Sequence, residues 1–383
     1  MIKDFLLNMP RSIIFGPGKR KEIPALLQVY GDRVLLVTGQ RWFKVSRFNS
    51  EFQAMLKNFK IEHLCCPAGE PTSCGVEELL AAARSFDPHI ILAVGGGSVL
   101  DTAKTISGLL PLKDRVVDFL EGVGRGLTIP GPGVPWIAMP TTSGTGAEAT
   151  RNAVIRSVES SAKKSIRSSY LLAGQVVVDP ELTLECPREV SGMAGLDALT
   201  QLIEAYVSRK AAVVPQALIR DALPVMLDSL LKIALNPANL EARSGAAYSS
   251  LISGLALANS GLGAAHGFAS GLGGMAAIPH GLICALFLRP VLKANAELIN
   301  SDLELLLRPA GYAQKGSGGA VEWHSAKVEK LLEAFNLPLT LSGYNLDRGL
   351  IPEMARRSSG SSMSGNPREL SREEREEIIC RMI

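Results

Sequence analysis

The succession of two hydrophobic periodicities along the chain restricts its fold more than any other feature. Up to residue 186, short β-branched runs alternate with helical patterns. Residues 34–38, 61–66, 90–94 and 136–139 read as strands, and 76–84 and 99–109 as helices between them. Such alternation implies a doubly wound parallel sheet with helices on both faces. A last short strand, 176–178, runs into Asp179-Pro180, where proline ends it. Beyond Cys186-Pro187 the texture is helical throughout, with patterns over 195–207, 215–235, 240–262, 283–298, 321–335 and 371–382. The expected architecture is α/β plus all-α: a sheet domain over residues 1–186, then a helical-bundle domain over 187–383. At 383 residues, 46% of them hydrophobic and 20% charged, the chain has enough apolar surface for two cores.

Several classes of function are set aside early. The net charge is +3 and the Lys and Arg residues are scattered, whereas a nucleic-acid protein needs a concentrated basic surface. The six cysteines (Cys65, Cys66, Cys74, Cys186, Cys284, Cys380) form no CxxC pair and read as reduced thiols of a cytoplasmic protein. The first ten residues carry Lys3 and Asp4, with too short an apolar run for a signal peptide. Residues 244–288 contain no Asp, Glu, Lys or Arg, a length that could span a bilayer. That stretch is rich in Gly, Ser, Ala and Asn and holds His266, Pro279 and His280, so it reads as a helix pair buried inside the helical domain.

Two loops carry the signature of a dinucleotide site. The strand at 90–94 runs into Gly95-Gly96-Gly97-Ser98 and then a helix. Glycines admit close approach of an anion to the backbone, and the helix N-terminus offers free N–H groups and the positive end of its dipole. The spacing is neither GxGxxG nor a P-loop. The strand at 136–139 leads to Pro140-Thr141-Thr142-Ser143-Gly144-Thr145-Gly146, a cluster of small hydroxyl residues suited to phosphate and ribose oxygens. Both loops follow strand carboxyl ends, where ligands bind in parallel sheets. The first βα turn is Thr38-Gly39-Gln40-Arg41. It has Gly39 where a carboxylate would select NAD, and Arg41 could pair with a 2′-phosphate, which tilts the cofactor reading from NAD towards NADP.

A second constellation lies in the helical half. Asp197 and Gln201 are four apart and share a helix face. His266-Gly267 and Pro279-His280-Gly281 place two of only five histidines inside the charge-free stretch. A lone buried histidine is more often a satisfied core residue than a ligand. Two in matched His-Gly contexts, together with a buried Asp, point to a divalent Fe²⁺ or Zn²⁺ site.

In this order and spacing, GGGSVLDTAK, PTTSGTGAEAT, GLDALTQLIEAYVS, AHG…PHG and GNPREL resemble the iron-containing (group III) alcohol dehydrogenases, over nearly the whole chain. The resemblance implies a dehydroquinate synthase-like fold with the active site in the cleft between its two domains. It implies an NAD(P)-dependent alcohol dehydrogenase or aldehyde reductase acting on a small alcohol, aldehyde or ketone, commonly a homodimer or higher homo-oligomer. It implies that Gly96, Gly97 and Ser98 meet the pyrophosphate, and that Asp101, Thr141, Thr142 and Thr145 lie near the nicotinamide half. Asn152, Val154 and Lys163 match further cofactor-contacting positions, as do Gly39 and Gln40 at the first turn. The family's metal ligands are one Asp and three His. Asp197, His266 and His280 match, while the fourth position holds Gln201, a neutral and harder donor. Ser270 stands where many members carry a further His. The site then binds metal through Gln201, or through three residues and water, or works without metal as a maleylacetate-type reductase does. A dehydroquinate synthase-like lyase shares the glycine cradle but has a different ligand pattern, and a non-catalytic paralogue would have no reason to keep the cofactor loops.

Overall fold

The computed structural model describes residues 4–40, 42–160, 162–273, 275, 278–313 and 319–383. The chain divides into two compact units. One comprises 8–142 and 147–186, and the other 1–7, 143–146 and 187–383.

The first unit is built on eight strands: β1 (Ser12–Phe15), β2 (Arg33–Gly39), β3 (Lys60–Cys66), β4 (Ile90–Gly95), β5 (Trp136–Pro140), β6 (Asn152–Ser157), β7 (Ala162–Arg167) and β8 (Gln175–Val178). Six of them form a parallel sheet in the order β1-β8-β5-β4-β2-β3. Between the strands run the helices α1 (Ile23–Gln28), α2 (Trp42–Val45), α3 (Asn49–Leu56), α4 (Ser73–Phe86) and α5 (Gly97–Leu109). β4 is buried along its whole length, which explains why its sequence is apolar without alternation. From β2 the chain steps outward to β3, returns to β4 on the other side, and continues away to β5. The reversal of strand order therefore lies between the carboxyl ends of β2 and β4, the place where open α/β sheets hold ligands. At the opposite edge, buried Asp179 accepts from the Gly18 and Arg20 N–H groups and from the Arg20 guanidinium, at 2.8–3.1 Å, and so fastens the segment after β1 to the end of β8.

Three strands lie outside the alternating pattern. β1 is a four-residue edge strand, and β6 and β7 form a separate antiparallel hairpin.

The second unit contains α6 (Arg188–Val207), α7 (Val213–Leu235), α8 (Leu240–Ser260), α9 (Ala264–Gly273), α10 (His280–Leu307), α11 (Ala320–Ala334), α12 (Ile351–Arg357) and α13 (Arg372–Met382), and no strand among the described residues. The charge-free stretch is not a helix pair. It covers most of α8, all of α9 and the start of α10. Glycine at 261 and 263 and Pro279 break it into pieces. Among the described residues no helix is long and apolar enough to cross a membrane. Residues 358–364 include the start of a short 3₁₀ turn at Met363–Gly365.

Candidate active site

In the first unit the sheet brings the cofactor candidates to neighbouring strand ends. β2 and β4 run level, with Thr38 opposite Val94, so Gly39 and Gln40 emerge beside the turn after β4. Arg41 lies outside the described residues. The turn into α5 is tight. A methyl group on Gly95 would sit 2.6 Å from the Val99 side chain, and one on Gly96 would come within 3.3 Å of Thr142. The first bonds of α5 run from the Val99 and Leu100 N–H groups to Gly96 O. The N–H groups of Gly97 and Ser98 precede them and are the donors a helix end turns toward an anion. The Thr141 N–H donates to Gly95 O at 3.0 Å, which sets the Thr141-Thr142 loop against the glycine turn. Thr145 is exposed and belongs to the second unit.

Asp101, Asn152 and Val154 are joined by a residue the motif reading passed over. Lys104 is fully buried, and its ammonium donates to Ala147 O (2.8 Å), Thr150 Oγ1 (2.8 Å) and Asn152 O (2.7 Å). It stands 3.6 Å from the Asp101 carboxylate, which in turn accepts the Val154 N–H at 3.0 Å. Burial pushes the Asp101 carboxyl up and the Lys104 amine down, and their pairing opposes both shifts. This relay ties α5 to the β6–β7 hairpin. Lys163, on β7, pairs with Glu70. A pocket lined by Cys66, Glu70, Thr72, Ser98 and Thr102 opens beside the glycine turn.

In the second unit, α6 carries Asp197, Gln201 and Glu204 at positions 0, 4 and 7, one stripe of the helix, and all three are buried. Asp197 Oδ1 is 3.1 Å from His266 Nε2 and 3.9 Å from His280 Nε2. His266 Nδ1 is 2.7 Å from Glu204 Oε2, and Glu204 Oε1 accepts the Ala265 N–H at 2.6 Å. Glu204 therefore does two things at once: it places negative charge at the N-terminus of α9 and orients the imidazole. Gln201 Oε1 accepts from the Ser253 hydroxyl at 3.0 Å. Cys284, one turn beyond His280, brings its Sγ to 3.6 Å from His280 Nε2. Ligand atoms of Asp197, His266, His280 and Cys284 all lie within 4.8 Å of one another.

The glycine after each histidine has a steric reason. A methyl group on Gly281 would fall 2.1 Å from Met193 O and 3.2 Å from the Asp197 Cβ, so its absence lets α10 start against α6. On Gly267 it would meet Met363 at 2.7 Å.

The donor set fits a divalent cation. With Nδ1–H directed at Glu204, the His266 Nε2 lone pair faces the Asp197 oxygen at 3.1 Å. Two electron-rich atoms at that distance need a shared cation, either a proton or a metal ion. Without metal the proton takes that place. Burial opposes charge on His266, while the Cys284 sulfur, Asp197 and Glu204 favour it, and they hold the imidazole well above its ordinary range. Burial pushes the Cys284 thiol up to about 12.

Lys104 and Glu204 fall within the sequence motifs but receive no role from them, and Cys284 lies outside them. Each has a weak signal in the sequence: an acid seven residues after Asp197, a soft donor four after His280, and a cation in the middle of an apolar helix.

Two family models match the chain, "Iron-containing alcohol dehydrogenase" over residues 10–180 and "Fe-containing alcohol dehydrogenase family, C-terminal" over residues 191–383. The chain is 30% identical to a sulfoacetaldehyde reductase of Bilophila wadsworthia, a match covering 80% of this chain and 79% of that protein. It is 33% identical to long-chain-alcohol dehydrogenase 1 of Geobacillus thermodenitrificans, covering 73% and 71% respectively. The crystal structure of a 1,3-propanediol oxidoreductase superposes with a TM-score of 0.92 at 27% identity, covering 100% of both chains. With the two family models together matched along nearly its whole length, the chain belongs to the iron-containing alcohol dehydrogenase family.

Proposed function

We propose that the protein is a metal-dependent oxidoreductase that moves a hydride between NAD(P) and a small alcohol or aldehyde. The observation that carries this reading is the convergence of Asp197 Oδ1, His266 Nε2 and His280 Nε2 on one buried point. Asp197, His266 and His280 would hold the ion, with Gln201 adjoining them on the stripe of α6. When bound, Fe²⁺ or Zn²⁺ supplies Lewis acidity toward the substrate oxygen, and the dinucleotide gives or takes up the hydride.

The chain's own residues do the rest. Glu204 accepts the Nδ1–H of His266 and so fixes Nε2 toward Asp197. Gly96, Gly97 and Ser98 bind the pyrophosphate, while Thr141, Thr142 and Thr145 flank the nicotinamide half. Asp101, Asn152, Val154 and Lys163 complete the cofactor contacts, with Gly39 and Gln40 at the first turn. Ser270, on α9, cannot serve as a general base near neutral pH, so the proton leaves through water or a hydroxyl relay. NADPH is the first cofactor to try, since no carboxylate stands at Gly39.

We place the enzyme in the cytoplasm as a homodimer or higher homo-oligomer. The six cysteines, all free, support the compartment. The place of β1 at the edge of the sheet, with Met9 exposed just before it, supports self-association.

The test follows NADPH oxidation over a panel of small aldehydes, using chelator-treated protein before and after anaerobic addition of Fe²⁺ or Zn²⁺. Turnover that appears only with metal, and falls at least about 100-fold in Asp197→Ala, is the expected result. Equal turnover without metal transfers the reading to a metal-independent maleylacetate-type reductase, with the more exposed His280 as hydrogen-bond donor to the carbonyl, since both nitrogens of His266 are taken by Glu204 and Asp197.

A further inference from the structure

We propose that Cys284 is a ligand of the metal ion, its thiolate completing with Asp197, His266 and His280 the four-residue set that Gln201 completes only weakly. The inference rests on the metal-dependent reading above and adds a donor to it.

Position is the first argument. Cys284 lies four residues after His280 on α10, so both side chains leave the same helix face one turn apart. Distance is the second. In a tetrahedral site with metal–sulfur near 2.3 Å and metal–nitrogen near 2.05 Å, sulfur and nitrogen are about 3.6 Å apart. Cys284 Sγ and His280 Nε2 are separated by 3.6 Å. The nitrogen–oxygen edge of the same tetrahedron is about 3.3 Å, and the two measured edges at Asp197 Oδ1, 3.1 and 3.9 Å, bracket it. Four side chains from three helices thus bring their donor atoms within 4.8 Å of one another, with three of the six separations near those of one tetrahedral site.

Chemistry is the third argument. A cysteine kept only as a small hydrophobe has no reason to face two imidazoles and a carboxylate, yet fully buried Cys284 does so. Gln201 is the poorer candidate. Its amide oxygen is neutral and hard, and it already accepts the Ser253 hydroxyl at 3.0 Å. Binding is balanced as an exchange: the Cys284 S–H bond breaks, the sulfur keeps the electron pair as a metal–thiolate bond, and the proton goes to solvent. A thiolate among nitrogen and oxygen donors moves the preference of the site toward zinc.

The test is spectroscopic and needs no turnover. Metal-free protein is titrated anaerobically with Co²⁺, and the near-ultraviolet thiolate-to-cobalt charge-transfer band is read beside the visible ligand-field bands. The expected result is both sets rising to one equivalent in the wild type. In Cys284→Ser the charge-transfer band is lost, the ligand-field bands remain, and zinc affinity drops by roughly 100-fold. Zinc X-ray absorption on the wild-type protein covers the case in which that variant does not fold, and should show one sulfur at about 2.3 Å. Cobalt bound without a charge-transfer band, the same band in Cys284→Ser, or a zinc shell of nitrogen and oxygen only overturns the inference and leaves the metal-dependent reading standing. Failure to take up cobalt or zinc at all overturns both.

Discussion

Lys104→Met separates a structural cation from a decorative one. The ammonium is fully buried and donates three bonds of 2.7–2.8 Å, to Ala147 O, Thr150 Oγ1 and Asn152 O. Methionine fills nearly the same volume, so no cavity forms. The loss is electrostatic: Asp101 keeps a largely buried carboxylate whose partner at 3.6 Å is gone, and two carbonyls lose a charged donor. Removing one member of a buried pair costs about 3–5 kcal/mol, a large share of a typical folding free energy of roughly 5–15 kcal/mol. The penalty depends on pH in a direction that can be worked out. Burial already raises the Asp101 carboxyl, and loss of Lys104 removes the largest opposing influence. The folded state of the variant then holds a proton that the unfolded chain releases, so the variant is relatively more stable in acid and loses that stability as pH rises. Urea unfolding of wild type and variant at pH 5.5 and 8 measures this, with NADPH affinity followed in parallel, because the relay holds the hairpin that carries Asn152 and Val154. Adding Asp101→Asn should return most of the loss. A variant within about 1 kcal/mol of wild type at both pH values, or no recovery in the double variant, would refute the reasoning.

Three further outcomes follow from the same geometry. His324 is buried with no hydrogen-bond partner among the described residues, and burial lowers its pKa to about 4. The unfolded chain binds that proton first, so the stability it contributes is present above pH 6.5 and is lost as pH falls toward 4, by up to about 3 kcal/mol; thermal melts of His324→Leu should lose this slope, and a slope equal to wild type counts against it. Glu204→Gln keeps an acceptor for the Ala265 N–H but weakens the hold on His266, so metal affinity in a chelator competition should fall about 10- to 100-fold with unchanged circular dichroism. Gly254→Ala would drive a methyl group to 2.1 Å from Gly146 O, and at least about 2 kcal/mol should be lost in urea unfolding, whereas Gly343→Ala, with nothing within 4 Å, should be near neutral.

The strands buried on both faces were legible because each is a continuous apolar run ended by glycine or proline. β1 was not, since at a sheet edge three of its residues are half-buried, Phe15 is exposed, and no helix pattern flanks it. The β6–β7 hairpin was not either. Its buried positions 153, 155 and 157 do alternate with more exposed ones, but Arg156, Lys163 and Lys164 make the segment read as solvated loop. The metal stripe was half legible. Asp197 and Gln201 show through their spacing, and His266 and His280 through their glycine contexts. Glu204 and Cys284 acquire meaning only when α6, α9 and α10 meet, and one acid or one cysteine within an apolar helix carries no spacing of its own to read.

That meeting also explains the stretch whose composition looked like a membrane span. Helices that approach closely need small residues at the contact, and here Gly281 lies against the backbone at Met193 O, Gly254 against Gly146 O, and Gly263 against the buried Glu204 carboxylate. Close approach excludes water, and without water a charge survives only where another group answers it. Asp197 and Glu204 are answered by His266, and neither lies in the charge-free stretch. The histidines and the cysteine come from that stretch because they can be buried neutral and still donate to a cation. A run of 45 residues without a charged side chain, 244–288, is therefore what remains when one helix supplies the acids and the two packed against it supply the neutral donors. The same logic predicts that Gly281→Ala, which pushes α10 away from Asp197, lowers metal affinity more than it lowers stability. Two readings of one sample check this, chelator competition and urea unfolding, and an equal loss in both would mean that the glycine serves packing alone.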